Sequence, residues 1–222
     1  MLLSCAGPFA LIGDAVVAAC VRSRTDYCDI TGEYPWVRAL IDRHHAEAAA
    51  NGTLIVNSCG FDSIPSDLGA LHAVTVARQR HGGSGSGSGG GSAATAVTIG
   101  DMDALLSAQG GGASGGTVAS IANMLATTSL AQFRASQDPF FLDPPRSPKR
   151  VPTAHDADLT LPVYLADARC WTAPYMMAPG NTRAVRRSAA LLDFGERFSY
   201  REGCVRVFMR ACFSQRPGRT LP

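Results

Sequence analysis

The sequence predicts an α/β protein: an incomplete, doubly wound parallel sheet comes first and an α+β region follows. Two observations carry this. Over residues 1–81, short apolar runs and helix-like stretches alternate three times, and such alternation places helices on the faces of a parallel sheet. Residues 82–92 are then a run of glycine and serine, and beyond it the regular alternation is lost. The chain divides accordingly into 1–81, a flexible Gly/Ser-rich insert at 82–92, and an α+β region at 93–222.

Leu2–Ala6 is a continuous apolar run, as in a central strand buried on both faces, and Gly7-Pro8 ends it. Asp14–Val21 reads as a buried helix with Asp14 at its N-terminus, where a carboxylate complements the free N–H groups. Tyr27–Ile30 is the next strand. Pro35 suits a helix's first turn, and Trp36–Ala50 is amphipathic, stopped by Asn51-Gly52. Thr53–Asn57 is the third strand, and its loop leads to a helix capped by Ser66 or Asp67 and running to about Arg80. Past the insert, Ala96–Ile99 reads as strand and Thr117–Arg134 as one long helix. Residues 138–152 read as a proline-rich loop, Asn181-Thr182 as the cap of a helix to Leu192, and Cys204–Cys212 as a last strand.

A net charge of +2, with no basic stripe carrying interleaved aromatics, argues against a nucleic-acid partner. The seven cysteines include no Cys-x-x-Cys and no pairing with histidines at zinc spacing. Four of them sit within apolar runs, and the set reads as reduced thiols of an intracellular protein. The apolar first 21 residues lack the basic start of a signal peptide, and Pro8 and Asp14 break any spanning helix. No signal peptide, transmembrane helix or metal site is expected.

Ligands of open α/β sheets bind beyond the carboxyl ends of the strands. Three loops lie there in succession: Gly7-Pro8-Phe9, Thr31-Gly32-Glu33 and Gly60-Phe61-Asp62-Ser63. Glycine admits a flat ligand close to the backbone, and Phe9 or Phe61 could pack on its ring. Glu33 and Asp62 are the acid–base candidates; each reads equally as a helix cap or backbone acceptor. Gly110–Gly115 fits G-x-G-x-x-G and precedes a helix. A dinucleotide fingerprint also needs a strand directly before it, and residues 101–103 and 107–109 read as intervening. Cys59 has no histidine nearby in sequence, so a nucleophile reading is weak.

Gly7-Pro8-Phe9, Thr25–Glu33, Ser58–Gly69 and Ala113–Thr117 resemble segments of the saccharopine dehydrogenase-like oxidoreductases. That group includes trans-acting enoyl reductases of bacterial glycolipid synthesis and animal proteins found on lipid droplets. Ala178–Arg183 and Arg186–Ala190 are similar to its later region, and Cys59–Asp67 is the most specific part. The resemblance covers most of the chain outside the insert and the proline-rich segment. It implies a Rossmann-type NAD(P)-binding domain, an α+β domain on the substrate side that often mediates pairing, and hydride transfer from NADP- or NAD-type cofactor to an apolar or lipid-linked substrate. It places Gly7, Pro8, Phe9, Gly60, Phe61 and Asp62 by the nicotinamide, and Glu33, Ser114, Gly115 and Gly116 on the substrate side. No catalytic residue carries over.

The family's glycine motif on its first strand–helix turn has no counterpart here, nor do about two βαβ units, on the order of 70 residues. Without that loop no helix N-terminus holds the pyrophosphate. The expectation is therefore a truncated oxidoreductase that binds cofactor weakly or not at all, with a homodimer expected at full length. The rival reading is a non-catalytic interaction protein that keeps the scaffold for pairing or for attachment to lipid surfaces.

Overall fold

In a computed structural model the structure describes residues 1–81, 97–107, 115–144 and 152–205. The first stretch alternates as the sequence predicts, with β1 (Leu2–Ser4), α1 (Phe9–Arg22), β2 (Tyr27–Asp29), α2 (Tyr34–Asn51), β3 (Ile55–Val56) and α3 (Ile64–His81), but β1 is an edge strand with Leu2 and Leu3 exposed and not the buried central strand expected. The strands form a parallel sheet in the order β1-β2-β3, with Leu2 opposite Tyr27 and Tyr27 opposite Ile55. Phe9, Val17, Val21, Tyr27, Trp36, Val37 and Leu40 make one buried cluster beneath it.

The α1–α2 contact depends on a glycine. A Cβ on Gly13 would lie 2.4 Å from the Trp36 ring, so any larger residue forces the helices apart. Gly52 ends α2 at φ 75°, the left-handed stop the sequence predicts. Asp14 departs from expectation. α1 begins at Phe9, so Asp14 sits inside the helix and bridges to α2, accepting from Trp36 Nε1 at 2.9 Å and pairing with Arg43.

The second stretch contains β4 (Asp101–Leu106), α4 (Gly115–Thr127), α5 (Leu130–Ser136), a 3-10 turn (Ala154–Asp156), β5 (Val163–Leu165), β6 (Cys170–Thr172), α6 (Ala178–Leu191) and β7 (Ser199–Cys204). β4 and β7 pair in parallel from Asp101–Ser199 to Leu106–Cys204, and β5 and β6 form an antiparallel hairpin. A bridge between Ala173 and Cys204 ties the end of that hairpin to β7. Ala70, Val74, Val185, Ala189, Phe194, Phe198 and Tyr200 pack α3, α6 and β7 together.

Several expectations fail here. Residues 97–99 are not strand; the strand is 101–106, because its carboxylates find partners. Asp101 accepts from Ser199 Oγ at 2.6 Å and Asp103 from Arg201 Nε at 2.8 Å. A strand therefore does stand shortly before the glycine cluster, although residues 108–114 lie outside the described residues, as does the insert at 82–92. The long helix is two, since Ser129 and Gln132 form a reciprocal capping box that starts α5. α3 begins at Ile64, ahead of the expected caps Ser66 and Asp67, and α6 at Ala178, ahead of Asn181. The last strand ends at Cys204, and most of its expected span lies outside the described residues.

Candidate functional site

The three strand-end loops converge and are stitched together by two carboxylates. The Glu33 carboxylate accepts from the backbone N–H groups of Phe9 at 2.9 Å and Ala10 at 3.0 Å. It thereby fills the N-terminus of α1, where free N–H groups and the helix dipole favour an anion. Asp29, 0% exposed, accepts from Thr31 N at 3.1 Å, Ser58 N at 3.1 Å and Asn57 Nδ2 at 2.7 Å. Burial pushes its carboxyl up despite those bonds. Ser58, at φ 61°, closes the stitch by donating from Oγ to the Thr31 carbonyl at 2.8 Å.

These contacts decide what the predicted residues can do. Pro8 precedes the first residue of α1, and Phe9 is buried 5.9 Å from the Trp36 ring centre, so Phe9 cannot meet a ligand ring. Phe61 is 89% exposed and can. A Cβ on Gly60 would meet Ile30 at 3.2 Å, which holds the loop against the end of β2. Glu33 is committed as a cap between helices, one of the two roles open to it from sequence.

The α4 helix reaches the same end of the sheet. A Cβ on Gly7 would lie 3.6 Å from Ser120 Oγ. Gly115 and Gly116 open α4 and are exposed, whereas Ser114 lies outside the described residues. From the other side, the first turn of α6 closes in: Gly180 approaches the Gly32 carbonyl, at 3.6 Å from a Cβ placed there.

A dinucleotide fits this crevice only in part. The exposed Phe61 and half-exposed Ile30 offer a surface for a flat ring beside the glycine loops. The N-terminus of α1 already holds the Glu33 carboxylate and so cannot hold a pyrophosphate.

Sequence reasoning missed a buried polar cluster behind the Gly60–Ser63 loop. Asn181 and Glu202 are each 1% exposed, and Ser63 and Ser66 are also buried. Asn181 Nδ2 donates to the Asp62 carbonyl at 2.8 Å and to Glu202 Oε1 at 3.1 Å, while Ser63 Oγ donates to Asn181 Oδ1 at 2.8 Å. Ser66 Oγ donates to the same Glu202 oxygen at 3.0 Å. The only sequence signal was their polarity within a helix start and a strand, which reads as surface.

Along β3 runs a mostly apolar cleft of about 490 Å³, walled by residues including Leu40, Ile55, Cys59 and Asp67. Burial pushes the Cys59 thiol up, which keeps it protonated and unsuited to nucleophilic attack. Burial also raises the Asp67 carboxyl, against a bond from Ser188. Among the described residues six cysteines are free, and no group of three or more metal-ligating side chains comes together. No described helix is long and apolar enough to cross a membrane.

The chain is similar to curated proteins from mycobacteria. It is 37% identical over 213 residues to a putative trans-acting enoyl reductase of Mycobacterium tuberculosis, covering 91% of this chain and 46% of that protein. It is 37% identical over 211 residues to a trans-acting enoyl reductase of Mycobacterium ulcerans and 35% over 215 residues to one of Mycobacterium leprae, each covering 91% of this chain and 47% of the relative. The chain thus spans about half the length of the curated relatives it matches. No family model matches it, and no solved structure does.

Proposed function

We propose that this chain is the nicotinamide and substrate side of an NAD(P)H-dependent enoyl reductase of the saccharopine dehydrogenase-like kind. One observation carries the reading: three successive strand-end loops of a parallel sheet are cross-linked by Glu33 and Asp29 at one end, where such sheets bind ligands. The names of the mycobacterial relatives supply the reaction class. A bound reduced nicotinamide would supply the hydride for the β-carbon of an α,β-unsaturated acyl group, with a solvent-derived proton completing the reduction at the α-carbon.

In this reading residues 1–81 present the cofactor side, with Gly7, Gly60, Phe61 and Asp62 around the nicotinamide and Pro8 and Phe9 shaping the loop from beneath. Residues 93–222 present the substrate side, with Gly115 and Gly116 at the mouth. Ser114, also assigned there, lies outside the described residues. Glu33 acts within the cofactor side, tying the start of α1 to the start of α2. The substrate is apolar or lipid-linked, and the full-length protein is an intracellular homodimer.

The test is a chimera in which this chain replaces the matched stretch of the Mycobacterium tuberculosis relative. With NADPH or NADH deuterated at the transferring position of C4, it should place deuterium on the β-carbon of an unsaturated acyl thioester. A folded chimera that binds cofactor yet reduces no acyl thioester overturns the reading. Association of the chain with lipid vesicles, without cofactor binding by the chimera, favours the scaffold role instead.

A further inference from the structure

Behind the crevice, one side chain reaches from α6 across to the corner between β3 and α3. Asn181 spends its amide hydrogens on the Asp62 carbonyl and on Glu202, and its oxygen on Ser63. These contacts fix both the backbone at Asp62 and the side chain that precedes α3. An amide can flip end for end, and only a fixed acceptor decides its orientation. Here two acceptors do so, the Asp62 carbonyl and Glu202 Oε1, which also receives Ser66.

We propose that Asn181 is a positioning residue of the crevice, its amide oriented by the buried Glu202 carboxyl so that it fixes the Asp62–Ser63 corner beside the nicotinamide site. The proposal rests on the reductase reading above and extends it to a residue that touches neither cofactor nor substrate.

The surroundings of Glu202 also favour its neutral form. Glu202 Oε2 is buried without a hydrogen-bond partner, an arrangement more costly for a carboxylate than for a neutral acid. The two buried guanidinium groups of α6 are turned elsewhere, Arg183 to Asp158 and Arg186 to Asp156. The titratable neighbours are Asp158, Tyr175 and Tyr200, with Asp62 and Asp67 on the α3 side. Burial raises the Glu202 carboxyl, and the bonds from Asn181 and Ser66 offset this only in part. An acid raised on folding contributes stability that is complete below its unfolded pKa and is lost as pH rises through the folded one.

Hydrogen exchange on the full chain tests the anchor without cofactor. Asn181→Ala should speed exchange at the amides of residues 60–66 by about tenfold while α1 and α2 keep their protection. Glu202→Gln keeps an oxygen acceptor for Asn181 and Ser66, so it should preserve corner protection. The wild type should lose corner protection as pH rises through the raised Glu202 pKa, and Glu202→Gln should remove that dependence. Equal loss across α3, α6 and β7 in Asn181→Ala overturns the proposal in favour of a general structural role. So does an unchanged corner, or a shared pH profile for wild type and Glu202→Gln. If Asn181→Ala does not fold, Ser63→Ala should produce the same localised loss in smaller degree, and a uniform loss there overturns the proposal.

In the chimera, Asn181→Ala should weaken NADPH binding by about tenfold, worth about 1.4 kcal/mol, with Glu202→Gln close to wild type. Equal NADPH affinity in Asn181→Ala and wild type overturns the positioning role. A wild-type chimera that binds no NADPH overturns the reductase reading and, with it, the ligand side of this proposal; the exchange result still decides the anchor.

Discussion

The two halves of the molecule use polar groups in opposite ways. Beneath β1–β3 the interior is apolar, from Phe9 and Val17 to Trp36 and Leu40, and carboxylates gather only at the strand ends, where Glu33 and Asp29 hold the loops. Around β7 an apolar cluster from Val74 and Val185 to Phe194 and Tyr200 is joined by buried polar side chains. Arg183, Arg186, Asp156, Asn181 and Glu202 are all buried, and Arg186 donates to the Asp156 carbonyl at 2.8 Å as well as pairing with its carboxylate. The first half is held by burial of hydrocarbon, which tolerates imperfect geometry. The second adds directed bonds to its apolar packing, and there the loss of one partner strands another.

The sharpest test of that contrast is Arg186→Ala. It leaves the Asp156 carboxyl buried beside the space of a lost guanidinium and should cost about 3–5 kcal/mol in urea unfolding. Arg186→Met together with Asp156→Leu, which removes both charges, should recover most of this. If the single and double variants lose equally, the second half is held by packing like the first, and the contrast is broken. Gly13→Ala probes the apolar half at its tightest contact, where a Cβ would press on Trp36. About 1–3 kcal/mol is expected, together with a changed Trp36 fluorescence.

The same contrast explains what the sequence made legible. The alternation of 1–81 was readable because each element there buries a local apolar pattern, and Gly52 stops α2 through its own backbone. α6 was misplaced at its start because its buried face is written in arginine and asparagine. Arg183 and Arg186 share a helix face by their i,i+3 spacing, which reads as a solvated stripe. Their partners Asp158 and Asp156 lie on a separate segment of the chain, and no periodicity marks that pairing. β4 was missed for the same reason: Asp101 and Asp103 look unsuited to a strand until Ser199 and Arg201 are placed beside them. At the crevice the glycine loops were visible as loops, but Phe9 was not visible as core, because its burial depends on Trp36 in the next helix.

Glu33 sits where the two modes meet, and its removal should have an intermediate effect. Glu33→Ala strips the acceptor from the N–H groups of Phe9 and Ala10, which should cost about 1–2 kcal/mol. The loss should appear first as faster exchange at the start of α1. Glu33→Gln keeps one of the two accepting oxygens and sets an NH2 against the other N–H, so its loss should be smaller than that of Glu33→Ala without vanishing. An unchanged α1 start in Glu33→Ala would mean that the loop at Gly7–Phe9 is set by Trp36 packing, and the stitching of the crevice would lose its carboxylate basis.

The smallest effect is expected at the ion pair of Arg43 with Asp14, whose side chains are 47% and 42% exposed. Exposed pairs contribute about 0–1 kcal/mol, so Arg43→Ala should scarcely move the unfolding midpoint, and salt should erase what difference there is. Asp14→Ala should cost more than Arg43→Ala, because the Trp36 indole N–H also loses its acceptor. That ordering matters more than either value. If Arg43→Ala costs as much as Asp14→Ala, the apolar half depends on charge pairing at its surface. The distinction between a half built on burial and a half built on directed polar bonds would then hold only for the interior.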